Sequence, residues 1–316
     1  MLREIDWVLD KLAWMRQQKI WPNGLRYLWT DAFGVVLLVS LYEELGRRRY
    51  LDEAEWVVAQ VDRVLGRPRG LRIGEEPDRD GQYYHYLAMW MYALHELGRH
   101  KPEYQDQAIA LVREVHEAFV RPDRGVVWKM KEDLSGRYPG YGYGALDAFH
   151  GYVVYRMLQE SDAKAGCLDT EIADMRAIVE RQYPHLDITQ DLALGMMLWI
   201  CHFYPDEPWA RVQRERSLQT LDSMWIEPPG YFSRHPHMPH TKFRFTNYGV
   251  SVGLQAVDAP VDRVHKLNAY FDHFSSGDEY DTNAITHVMS CNSRFPGRLI
   301  SRRAMPEQST LERPQA

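Results

Sequence analysis

The stretch Asp80-Gly81-Gln82-Tyr83-Tyr84-His85-Tyr86-Leu87-Ala88-Met89-Trp90-Met91-Tyr92-Ala93-Leu94-His95-Glu96-Leu97 carries apolar residues on every side of a 3.6-residue repeat, not along one stripe. A helix that is apolar all round is buried all round. Its polar residues gather in the first turn, behind Arg79, and Gly98 ends it, so any chemistry it supports belongs at its N-terminal end.

Working outward, helices of this inner kind alternate with ordinary amphipathic ones. Ile5 to Gln17 has a single stripe of Ile5, Val8, Leu9 and Leu12 and reads as outer, whereas Trp29 to Leu45 has almost no polar face and reads as inner. The pattern continues with Leu51–Leu65 outer, Asp80–Leu97 inner, Glu103–Phe119 outer, Gly144–Leu158 inner and Asp169–Val179 outer. It ends with Asp187–Tyr204 inner, Trp209–Trp225 outer, Asn247–Val257 inner, Val261–Phe274 outer and Asp281–Cys291 closing the series. An open solenoid needs polar terminal caps, and the first and last pairs are no more polar inside than the middle ones. The expectation is an all-α (α/α)6 barrel, or toroid, forming a single domain over residues 1–300. Ser301 to Ala316, polar with two prolines, reads as a disordered tail.

Composition bounds the partners. The 316 residues are 45% hydrophobic with a net charge of -6, and mean hydropathy is -0.48. No run reaches the roughly 20 apolar residues that span a bilayer, and the acidic balance disfavours nucleic acid and anionic membrane as partners. Cys167, Cys201 and Cys291 share no metal-type spacing, and the start Met1-Leu2-Arg3-Glu4-Ile5-Asp6 lacks a signal-like apolar region, so a reduced cytoplasmic setting is expected. With 19 Tyr and 10 Trp, the chain is rich in side chains suited to half-wet surfaces.

Connections from an inner helix to the next outer one are only a few residues long, but the returns Lys19–Leu28, Gly66–Arg79, Arg121–Tyr143 and Glu227–Thr246 are long. In a closed toroid these lie together on the face where the inner helices begin, which marks that face as the mouth. Val126 to Lys131 reads as a β excursion there, and Tyr231 to Arg234 is expected to pair with Lys242 to Phe245.

Three constellations can carry chemistry. Asp31, Asp80, Asp147, Asp187, Asp191 and Asp281 stand at inner-helix starts, where opposed carboxylates split their pKa values into an acid and a base; capping of the helices is the alternative role. Trp29, Tyr83, Tyr84, His85, Tyr86, Tyr138, Tyr141, Tyr143, Phe149 and His150 suit stacking on sugar rings, and equally on cationic or isoprenoid groups. His85 and His150 stand within about a turn of ring acids, as an Asp-oriented base would. His235, His237 and His240 lie close enough to ligate a transition metal but lack a fourth ligand. The better reading of that loop, with Arg234, Lys242 and Arg244, is a positive lid; no metal or cofactor is expected.

The run Arg26-Tyr27-Leu28-Trp29-Thr30-Asp31-Ala32-Phe33 resembles an inner-helix start of the unsaturated glucuronyl and rhamnogalacturonyl hydrolases, members of the six-hairpin glycosidase superfamily, where the Asp lies in the substrate pocket. Leu71-Arg72-Ile73-Gly74 followed by Asp78 to Leu87 is similar to a poorly characterised bacterial group of the same fold. The resemblance implies a glycoside hydrolase-like enzyme acting on a small-molecule sugar or uronate, with Asp31 paired to Asp80 or Asp147. The working assignment is Asp31, Asp80, Asp147 and His150 as catalytic residues. Trp29, Tyr84, His85, Tyr143, Asp191, Arg244 and Asn247 are expected to bind substrate. A terpenoid or other natural-product cyclase or isomerase on the same toroid, and a non-catalytic sugar-binding protein, are the alternatives.

Overall fold

The computed structural model describes residues 2–162, 166–233 and 244–300. The segment Ser301–Ala316 and the residues Arg234, His235, His237, His240 and Lys242 lie outside these, with the expectations attached to them.

Among the described residues there are twelve α-helices: α1 Leu2–Gln17, α2 Leu28–Leu45, α3 Arg49–Leu65, α4 Tyr84–Gly98, α5 Pro102–Phe119, α6 Asp147–Ser161, α7 Asp169–Gln182, α8 Asp191–Cys201, α9 Pro208–Met224, α10 Arg244–Ala256, α11 Val261–Asp272 and α12 Ala284–Arg294. The even-numbered helices touch in the cyclic order α2, α4, α6, α8, α10, α12 and back to α2, so the inner ring is closed. Each of the first five packs on the odd-numbered helix that follows it, and α12 packs on α1. The two ends of the described chain therefore complete one hairpin, tied by Arg294 to Glu4 at 2.6 Å. This is the (α/α)6 toroid.

The inner helices follow from their sequences. All residues of α2 from Leu28 to Leu41 are buried, and Gly46 ends the helix in the left-handed region, donating to Tyr42. Close approach explains two glycines: a Cβ on Gly253 of α10 would sit 2.1 Å from the backbone oxygen of Gly195 in α8. No larger residue lets these neighbours cross so tightly.

At the C-terminal end of the ring, residues 295–300 form a plug. Arg298 donates from its backbone to Ser40 at 2.8 Å and from its side chain to Glu96 at 2.6 Å, while its carbonyl accepts from Tyr92. The Leu299 carbonyl accepts from the Trp199 indole at 2.7 Å, and the Leu299 side chain is fully buried. Among the described residues, the C-terminal end of the toroid is thus closed.

The mouth carries three short antiparallel pairs: β1 Gln82–Tyr83 with β4 Lys129–Met130, β2 Val120–Arg121 with β3 Gly125–Val126, and β5 Trp225–Ile226 with β6 Tyr231–Phe232. Tyr231–Phe232 pairs with the strand before it, Trp225–Ile226, and of the partner segment expected after it Arg244 and Phe245 are helical, while Lys242 and Phe243 lie outside the described residues. Three inner helices also begin later than their acids suggest. Asp80, Asp187 and Asp281 precede α4, α8 and α12, because the intervening residues are extended or form a 3-10 turn.

Candidate active site at the mouth of the toroid

Among the described residues, two neighbouring cavities lie at the starts of the inner helices. The first, of ≈ 540 Å³, lies among the starts of α4, α6, α8 and α10 and is lined by Tyr83, His85, Tyr86, Trp128, Tyr143, Asp147, Asp191, Phe245 and others. The second, of ≈ 670 Å³, lies at the starts of α2 and α12; Tyr86 and Phe245 line both and form the partition. Phe245 stacks on Tyr280 with centroids 5.6 Å apart, and the Tyr86 and Tyr27 hydroxyls hydrogen-bond at 2.8 Å.

Asp147 opens α6 and lines the first cavity. Burial raises its carboxyl from the usual carboxylate value to about 7, against the opposing pull of the backbone N–H groups of Asp147 itself and of His85. Its Oδ1 is buried with no hydrogen-bond partner. Gly144 lies against this carboxyl, where a Cβ would fall 1.7 Å from Asp147 Oδ2 and displace it.

His85 lines the same cavity, and its Nδ1 lies 2.9 Å from Nδ1 of His150 on α6. One of these nitrogens carries the proton and donates to the other. Burial pushes His85 down to about 3 and His150 well below its usual value, with His85 adding to the second effect, so both rings are neutral. His150 is fully buried behind His85, against Trp199, and its Nε2 has no partner. When His85 holds the shared proton its Nε2 carries a lone pair, and when His150 holds it the His85 Nε2 carries the hydrogen, so the pair can pass a proton in either sense.

Asp191, at the start of α8, also lines the cavity and ties two inner helices together. Its Oδ1 accepts from the Leu192 N–H at 2.7 Å and its Oδ2 from Thr246 Oγ1 of α10 at 2.7 Å. Tyr143 stands half-exposed on the rim.

Other expected site residues lie elsewhere. Asp31 is fully buried and lines neither cavity: it accepts from the Trp21 indole at 2.9 Å and the Tyr27 N–H at 3.2 Å, and pairs with Arg26 at 3.1 Å. It is a helix-start brace, lifted to about 6 by burial against the pull of Arg26, Trp21 and Tyr27. Asp80 is likewise spent on structure, accepting from the N–H groups of Ile73, Gly74 and Gly81 and pairing with Arg72, which folds the 72–81 loop. Trp29 is buried behind His85, with centroids 4.7 Å apart, and Tyr84 points away toward α5 and α6, its hydroxyl donating to Tyr155 at 2.7 Å. Neither can stack on a ligand in either cavity. Arg244 is drawn to Asp281 and to the carbonyls of Phe274 and Tyr280, and Asn247 accepts from the Phe232 N–H at 2.7 Å, so both hold mouth loops.

The aromatic side chains that line the first cavity include Tyr83, Tyr86 and Trp128, with Tyr83 and Trp128 nearly parallel at 6.0 Å. The 125–130 and 137–144 segments run antiparallel to form this wall, joined by Trp128 N–H to Gly142 at 3.0 Å and Gly144 N–H to Val126 at 2.9 Å. Behind it Lys129 is buried under Tyr83, Tyr138 and Tyr141, its Nζ 4.4 to 5.1 Å from their ring centroids.

No family model and no curated protein matches the chain in sequence. Solved structures do match in fold over nearly the whole chain. An α-mannanase of glycoside hydrolase family 76 from Bacteroides thetaiotaomicron superposes with a TM-score of 0.67 at 9% identity, covering 94% of this chain and 96% of that one. A D-mannose isomerase gives 0.63 at 12% identity over 87% of each chain. A cellobiose 2-epimerase from Bacillus thermoamylovorans gives 0.63 at 11% identity, covering 86% of this chain and 88% of its own. The fold is therefore that of the six-hairpin toroids, and at these identities the likeness extends to the fold alone.

Proposed function

We propose that the chain is a carbohydrate-active enzyme whose reaction takes place in the ≈ 540 Å³ cavity, with Asp147 as the proton-transferring acid and His85, oriented by His150, as the second working group. The observation that carries this reading is the pair itself. A carboxyl that burial holds protonated up to about pH 7 and a neutral imidazole with a free nitrogen border one aromatic-walled space. A group that gives a proton and one that takes it are what glycosidic cleavage and sugar isomerisation both require. Tyr83, Tyr86 and Trp128 supply faces for pyranose rings. That solved proteins of this fold include a mannanase, a mannose isomerase and a cellobiose epimerase agrees with this reading.

The lining also bears on the substrate. Glu75, Asp147, Asp187 and Asp191 border this cavity, and among the described residues no Lys or Arg does. A uronate carboxylate placed here would meet carboxylates, so the ring bound in the cavity is a neutral sugar. The same carboxylates disfavour a hydrocarbon ligand, which sets the terpenoid cyclase below the sugar enzyme.

The second reading, sugar isomerisation or epimerisation in place of hydrolysis, is favoured by the His85–His150 pair, which moves a proton without involving a second carboxylate. One panel decides between them. Manno-oligosaccharides, cellobiose and mannose are incubated with the protein, and products are resolved by chromatography: shorter sugars indicate hydrolysis, and an unchanged chain length with altered sugar identity indicates isomerisation. Binding without turnover would leave a sugar-binding protein, and no binding of any neutral sugar would refute the proposal.

A further inference from the structure

Beside the sugar cavity, across Tyr143, lies a separate cleft of ≈ 370 Å³ with the opposite electrostatic character. Three guanidinium groups line it: Arg121 and Arg124 from the β2–β3 hairpin and Arg137 from the loop that folds back on β4. Their only acidic companion in the lining is Asp123, whose carboxylate stands 3.4 Å from Arg124 with both side chains largely exposed. Arg121 spends one nitrogen on the carbonyls of Glu117 and Val120, at 2.6 and 2.7 Å, and makes no ion pair among the described residues. Arg137 makes none either; it sits over the Tyr143 ring, 5.9 Å from the centroid.

The arrangement is built by the backbone. The Arg124 N–H donates to the Arg121 carbonyl at 2.8 Å, closing a tight turn that brings both side chains to one side, and Gly125 follows in a conformation with φ +151° that other residues rarely adopt. The antiparallel bridge between Met130 and Arg137 carries the third guanidinium to the facing wall. Guanidinium forks match carboxylate, phosphate and sulfate oxygens in pairs. Gathering three with one exposed carboxylate, in a chain of net charge -6, leaves a local positive field that an oxyanion would neutralise.

We propose that this cleft is an oxyanion subsite for a charged substituent on the sugar whose neutral ring occupies the neighbouring cavity. Tyr143, lining both spaces, is the shared wall over which the ligand passes. The assignment to a sugar substituent rests on the function proposed above; the oxyanion site does not.

The test uses the full chain and its Arg124→Gln/Arg137→Gln variant, whose altered side chains are exposed and leave the core untouched. Calorimetric titration with inorganic sulfate at constant ionic strength should give saturable binding to wild type and none to the variant. Asp123→Asn should tighten it. A second arm compares a neutral oligosaccharide with the same chain carrying a sulfate ester or a uronate unit. Wild type should bind the charged forms on the order of 10-fold more tightly, as one charge-assisted contact provides, and the variant should lose that preference while binding the neutral sugar unchanged. Preference for the ester or for the uronate identifies which oxyanion the cleft takes. Sulfate binding that survives in the variant, or charged and neutral sugars bound equally by wild type, would overturn the proposal. Sulfate binding lost in the variant with no sugar bound by either protein would keep the anion site and remove the sugar reading.

Discussion

Replacing Asp147 by Asn should stabilise the protein at neutral pH while disabling it, and the size of the gain follows from burial. The carboxyl rises from 3.8 to about 7 because its charged form is desolvated at the start of α6. The folded state therefore holds the proton more tightly than the unfolded chain. Well below pH 3.8 both states are protonated and the group costs nothing. As pH rises the unfolded carboxyl ionises freely while the folded one resists, so the cost grows until about pH 7 and is constant above. Three units at about 1.4 kcal/mol each make the full cost about 4 kcal/mol. Asparagine cannot ionise, yet its carbonyl can still accept from the backbone donors. Urea denaturation of both proteins, from about pH 4 to 8, reads this directly. The stability of wild type relative to Asp147→Asn should fall by about 4 kcal/mol across that range and level off, with the constant offset between the two proteins cancelling out. Parallel stability curves for the two proteins would refute the claim that Asp147 is a buried, proton-holding acid.

Further expectations test the frame around it. Gly253→Ala would press a methyl group onto the backbone of Gly195, at 2.1 Å from its oxygen, and since neither helix can yield locally, thermal unfolding should report a loss of about 1–3 kcal/mol or more. Leu299→Ala empties the centre of the plug that closes the C-terminal end of the ring, and should cost about 2–5 kcal/mol by chemical denaturation. In steady-state kinetics, kcat/KM should decline as pH rises through about 7, where Asp147 loses its proton, with no inflection at the ordinary histidine value because burial has moved His85 to about 3.

The toroid was legible because inner and outer helices differ in amphipathicity, and the alternation with unequal loop lengths located the mouth. The facing of individual residues was harder to read for the same reason. A helix apolar on all sides has no stripe to show which of Tyr83, Tyr84, His85 and Tyr86 looks into the ring, and the structure turns Tyr84 outward while placing the other three in the cavity lining. Asp31 and Asp147 share a sequence context, an acid one step inside an apolar run. They part only through distant partners: Trp21 and Arg26 enclose Asp31, and nothing equivalent reaches Asp147 Oδ1. Asp80 looked like a first-turn acid because residues 82–83 carry no sign that they pair with Lys129–Met130 before the helix starts. The basic cleft escaped notice because Arg121, Arg124 and Arg137 are ordinary charged loop residues until the hairpin and the returning loop bring them together.

In the proposed function, chemistry passes through Asp147 and His85 and not through Asp31 or Asp80. The most direct measurement is kcat/KM for Asp147→Asn, His85→Gln, Asp31→Asn and Asp80→Asn, each confirmed folded by circular dichroism, on the first neutral glycan that wild type turns over. The first two should lose on the order of 100- to 10,000-fold, and the last two should stay within about tenfold of wild type, as residues that brace the scaffold without touching the ligand. Full activity in Asp147→Asn, with collapse in Asp31→Asn or Asp80→Asn, would contradict it and return the chemistry to the α2 side of the mouth.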